Sequence, residues 1–76
     1  MTYYNYHGIC KKLIASNHLI GITLFDRYKH IAPALVFYFD NHKPMPIREY
    51  KFKEYYDLLK NLNINMVINK KSTNNE

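Results

Sequence analysis

Apolar side chains along this chain fall into short runs separated by polar turns, and only one segment carries a clear helical period. Leu19 to Phe25 and Ala34 to Phe39 are rich in β-branched and aromatic residues. Both are strand-long rather than helix-long and are predicted to be strands. Ile9 to Ala15 is strand-like or one short helical turn, and is read as a preceding strand. Ser16-Asn17 is a turn signal, so the first two strands are expected to form a hairpin. Asp26-Arg27-Tyr28-Lys29-His30 is a polar connection, and Pro33 disfavours helix at Ala32 and marks the next boundary. Asp40 to Pro44 is a loop with turn-forming residues throughout. Met45 to Glu49 is predicted to return as an edge strand, because Pro46 has no N–H to give to a ladder.

The helical segment follows. Phe52, Tyr55, Tyr56, Leu59 and Leu62 recur along one stripe of a 3.6-residue period. Lys53 and Asp57, and Asp57 and Lys60, are spaced for ion pairing on its outer face. Asn63 is suited to a left-handed stop. Ile64 to Ile68 offers a fifth short strand.

These elements predict one small α+β domain over residues 1–68 and a disordered polar tail over 69–76. Short connections favour a four- or five-stranded antiparallel meander with one C-terminal amphipathic helix packed on one face. A small SH3-like barrel is the rival. Val36 to Ile47 resembles the Tudor-type alternation of strand, turn and strand over about a dozen residues, without the spacing of an aromatic cage.

Side chains on a strand alternate between faces. Leu35, Phe37 and Phe39 share one face of their strand, and Ala34, Val36 and Tyr38 share the other. Ile20, Ile22 and Leu24 oppose Leu19, Gly21, Thr23 and Phe25 in the same way. Both strands are apolar on both sides, as in a sheet covered twice, yet the predicted elements include a single helix. Each large apolar side chain left in water forfeits about 1.5–3 kcal/mol. The second face is therefore expected to be closed by curling into a barrel, by the N-terminal Tyr segment, or by another chain; otherwise Tyr28 and Tyr38 lie flat over it. A partner is the expectation adopted here. Its contact surface would comprise Leu19, Thr23, Val36, Tyr38 and Tyr28, with Arg27, Lys29 and His30 as a polar rim.

Composition sharpens the picture only partly. Seventy-six residues bury about 60% of the surface an unfolded chain exposes, so stability is marginal. A lone cysteine, Cys10, excludes an intrachain disulfide and fits a reducing, cytoplasmic location. No apolar run has the length of a membrane span, and the N-terminus lacks a secretory pattern. The net charge of +5 is attractive to nucleic acid. The abundance of Asn, Lys, Ile and Tyr also matches what an AT-rich genome encodes, as in many small viral or mobile-element proteins that block a larger target.

His7-x-x-Cys10 has the spacing of half a metal site, but His18, His30 and His42 are scattered over predicted loops, so neither a metal nor a cofactor is expected. The glycines are Gly8 and Gly21 alone, which excludes a phosphate-cradling loop. An enzyme is not expected. The strongest catalytic case is a metal-independent ribonuclease with His30 or His42 as base and Lys29, Arg27 or Arg48 steadying phosphate charge. Sequence alone favours a protein–protein interaction module, a homodimer or an inhibitor or adaptor of a larger protein. The alternative is a single-stranded nucleic-acid-binding domain using Lys11, Lys12, Arg27, Tyr28, Lys29, Arg48 and Lys51, where cations interleave with rings.

Overall fold

Residues 6–15 are helical, not extended. The computed structural model describes residues 5–72, and its first element is helix α1, Tyr6–Ala15. Asn5 caps it by accepting the Gly8 amide at 3.1 Å. Tyr6, Cys10, Leu13 and Ile14 then form an apolar stripe that packs into the core, with the helical spacing of i, i+4, i+7 and i+8. The helix ends at the anticipated turn. Asn17 takes φ 67°. Its amide donates to the Ile14 carbonyl and the His18 amide to the Leu13 carbonyl, which is a Schellman closure. A window beginning at Ile9 misses the cap and the first turn, and what remains is short enough to pass for a strand.

Strands β1, Leu19–Phe25, and β2, Ala34–Phe39, pair antiparallel, and β3, Met45–Arg48, pairs antiparallel with β2. A 3₁₀ turn over Glu49–Lys51 leads into helix α2, Phe52–Asn61. Lys53 reaches Asp57 at 3.2 Å along its outer face. Asn63 ends it at φ 59°, with its own amide bonded to the Lys60 carbonyl and the Ile64 amide to that of Leu59. This is the same closure as in α1, and Ile64 folds back onto the core.

The chain then crosses to the opposite edge of the sheet. Strand β4, Ile68–Lys71, lies parallel to β1, and the strand order is β3-β2-β1-β4. The sheet is therefore mixed and open rather than a purely antiparallel meander or a barrel. Among the described residues there are two α-helices, and α2 lies mid-chain rather than at the C-terminus. The span assigned to a polar tail instead holds a strand through Lys71; residues 73–76 lie outside the described residues, as do Tyr3 and Tyr4. β4 is exposed beyond Ile68, and lysines on such an edge discourage pairing with a further strand. Among the described residues, no helix is long and apolar enough to cross a membrane.

Both helices contribute to one core. Cys10, Ile14, Tyr55 and Leu59 pack with Ile22, Leu35, Phe37, Phe39, Met45 and Ile47 from the sheet. Tyr56 and Leu62, read as part of the α2 stripe, lie at its exposed margin. Ile20 leaves the face it was expected to share with Ile22 and Leu24. A register shift falls between Leu19 and Gly21, and Ile20, the extra residue there, is 65% exposed.

The second face of the sheet is not bare. Phe25, Tyr28, Ala34 and Val36 form a second buried cluster, flanked by Ile31 and Tyr38. Val36 is 0% exposed. The cover is the β1–β2 connection, which turns back on itself. The Tyr28 amide donates to the Ile31 carbonyl at 2.8 Å, the Ile31 amide returns the bond at 3.0 Å, and Lys29 takes φ 57° at the turn. The rings of Phe25 and Tyr28 lie 5.3 Å apart. The expectation of an uncovered apolar face is thus corrected. Tyr28 and Ile31 sit inside a stretch whose polar neighbours made it read as a solvated loop.

Candidate functional site

A concavity runs along the free edge of β3. Pro46 gives that edge no N–H, and its carbonyl accepts the Tyr6 hydroxyl at 2.9 Å. An edge strand closed in this way is unavailable for pairing at its centre, and the start of α1 is tied beside it. The resulting cleft has a volume of about 640 Å³. Its floor and walls combine apolar side chains from Ile9, Ile31, Pro44, Met45 and Pro46 with the rings of Tyr6 and Tyr50. The remaining lining residues are His7, His42, Lys43 and Arg48, with no carboxylate among them.

Each of these side chains has a structural reason to be there. The β2–β3 loop turns at Asn41, φ 59°, and presents His42 and Lys43. Register on β3 places Arg48 opposite Ala34 and Pro46 opposite Val36, so both belong to the face on which Ile31 lies. The 3₁₀ turn holds Tyr50 outward, 76% exposed, with the Lys51 ammonium 6.0 Å from its ring centre. Lys11 and Lys51 both pair with Glu54. Arg48 and Lys43, by contrast, make no ion pair among the described residues. The cleft therefore gathers cations whose charge is not neutralised locally.

His7 is held from behind. Its Nδ1 lies 2.8 Å from the Tyr55 hydroxyl, and the Tyr6 ring meets it edge-on at 5.5 Å. Burial, followed by the charges of Lys51 and Lys11, holds the His7 pKa below its ordinary value. Tyr55 is 0% exposed. Burial and the adjacent Cys10 push its phenol well above the usual range, so it stays protonated. Burial likewise pushes the Cys10 thiol up to about 11, against the opposing effects of the Tyr55 hydroxyl and Lys11. A buried neutral thiol is a packing group rather than a nucleophile.

Of the contact-surface residues singled out from sequence, Thr23, Tyr28, Val36 and Tyr38 gather on the second face of the sheet, whereas Leu19 packs against the main core. Thr23, Tyr28 and Val36 are buried, and Leu19 and Tyr38 are half-buried. Arg27, Lys29 and His30 are exposed on the β1–β2 connection, with the Lys29 ammonium 5.7 Å from the Tyr28 ring centre. Of the cations proposed for nucleic acid, Arg48 lines the cleft and Lys51 backs Tyr50. Lys11 is engaged by Glu54, and Lys12 is exposed on α1. Sequence reasoning missed Tyr6, His7, Lys43 and Tyr50 as cleft residues. Tyr50 carried one usable signal, since it precedes the α2 stripe and had no core role. His7 and Tyr6 carried none until α1 is recognised. No protein-family model, curated protein or solved structure matches the chain.

Proposed function

We propose that this protein binds single-stranded nucleic acid in the β3-edge cleft. One observation carries the reading: Arg48 and Lys43, which make no ion pair among the described residues, line the same cleft as an outward-facing Tyr50 ring. Single strands are held by that combination, cations along the phosphates and an aromatic ring under a base. The overall charge of +5 favours encounter with a polyanion. The protein–protein reading rested on an uncovered sheet face. With Val36 at 0% and Tyr28 at 8% exposure, that support is gone.

Fluorescence anisotropy with a labelled oligothymidylate of about ten nucleotides tests the proposal. Saturable binding is expected at low salt, with log affinity falling linearly against log salt concentration. Arg48→Ala and Lys43→Ala should each make that slope shallower by about 0.7 for a single strand. Tyr50→Ala should weaken binding about tenfold with the slope unchanged, since one stacked base contributes about 1–3 kcal/mol. Binding that ignores salt, or that survives all three substitutions intact, contradicts the proposal.

A further inference from the structure

The cleft pairs its cations with two imidazoles, and this extends the chemistry beyond binding. His7 and His42 come from different elements, the first turn of α1 and the β2–β3 loop, and line the same cleft. His7 Nδ1 lies 2.8 Å from the buried Tyr55 hydroxyl, which itself donates to the His7 carbonyl at 3.5 Å; in the tautomer whose Nδ1–H donates to that hydroxyl, Nε2 is the nitrogen able to accept a proton. His42 makes no hydrogen bond among the described residues and is exposed. A base fixed by a third group and a second proton-carrying group near unneutralised cations are the parts that acid–base phosphate chemistry needs.

We infer that the cleft cleaves RNA by metal-independent transphosphorylation, with His7 and His42 as the proton-transfer pair and Arg48 and Lys43 holding the phosphate. The inference rests on the nucleic-acid reading above. His7 accepts the proton of a ribose 2′-hydroxyl. The 2′-oxygen forms a bond to the adjacent phosphorus as the bond from phosphorus to the 5′-oxygen breaks. Protonated His42 gives its proton to the departing 5′-oxygen. The products are a 2′,3′-cyclic phosphate and a free 5′-hydroxyl, with no oxidant, cofactor or water consumed. The depressed basicity of His7 supports its role, because it is neutral and able to accept a proton near pH 7. Arg48 and Lys43 would stabilise the extra negative charge on the equatorial oxygens as the two bonds exchange. DNA, lacking the 2′-hydroxyl, should occupy the cleft and remain intact.

The full chain is incubated in EDTA with an RNA oligomer and, separately, with DNA of the same sequence. Binding is read by anisotropy and products by mass spectrometry. RNA should be cut to fragments ending in a cyclic phosphate, and DNA should be bound uncut. His42→Ala and His7→Gln should each slow cleavage by about 100-fold or more, with binding changed far less. His18→Ala, which removes an imidazole paired with Asp40, should cleave at the unsubstituted rate. The rate should fall on the acid side as His7 becomes protonated, and His7→Gln should lose that limb. If His7→Gln fails to fold by circular dichroism, His42→Ala decides the matter, since its side chain lies on an exposed loop. RNA that is bound but uncut overturns the inference and leaves the binding proposal standing. Cleavage undiminished in His42→Ala also overturns it. RNA neither bound nor cut removes both.

Discussion

Phe37→Ala is expected to cost about 3–5 kcal/mol of folding stability. Phe37 is 0% exposed at the centre of β2. Its ring lies 5.3 Å from that of Tyr55 and 6.4 Å from that of Phe39, and its register partners are Ile22 and Met45. Truncation removes the transfer energy of the ring and opens a cavity between the sheet and α2, which both helices and three strands would have to move to fill. A domain of this size holds a total stability of about 4–11 kcal/mol. One substitution in this layer therefore brings the chain close to unfolding. Urea denaturation followed by far-UV circular dichroism gives the loss directly, and a loss under about 1 kcal/mol would mean that the helices do not seal this layer.

Val36→Asp is expected to be comparably severe, about 4 kcal/mol or more, whereas Ile20→Asp should stay within about 0.5 kcal/mol of the unsubstituted chain. The two positions are both aliphatic and both central in sequence. They differ in what covers them. Val36 is sealed under Phe25, Tyr28 and Ile31, so a carboxyl there is buried without a partner and must either displace the β1–β2 connection or fold protonated. Ile20 sits at the register shift, open to water. Were the Val36 face uncovered in the free chain, Asp would be tolerated there and would even raise solubility. Thermal or urea melts of the two variants at pH 7 separate these outcomes.

Those contrasts show where sequence patterns were informative. β1 and β2 were legible to the residue because their apolar runs are bounded by turn-forming side chains. α2 was legible because its stripe has the helical period. Pro46 announced an edge strand, and β3 is one. α1 was missed because its start depends on the Asn5 cap and on Tyr6, which lie before the apolar run. A last strand was expected over Ile64–Ile68, but β4 runs Ile68–Lys71 and overlaps that span only at Ile68, because almost nothing in Asn69-Lys70-Lys71 favours a strand. Its pairing with β1 is a long-range consequence of where α2 delivers the chain, and only Ile68 contributes a half-buried apolar side chain. The site was the least legible part. The cleft draws on α1, the β2–β3 loop, β3 and the 3₁₀ turn, and no sequence spacing joins His7 to Arg48. His42 and Arg48 were candidates from sequence, but nothing there preferred them to His30 and Arg27, which the fold places on the β1–β2 connection.

Binding in the β3-edge cleft fixes where an oligonucleotide lands. Amide correlation spectra of the ¹⁵N-labelled chain, titrated with oligothymidylate at low salt, test it most directly. The largest shifts should fall on His7, His42, Lys43, Arg48 and Tyr50, around one cleft. Shifts centred instead on Arg27, Lys29 and His30, or no shifts at millimolar oligonucleotide, would contradict it.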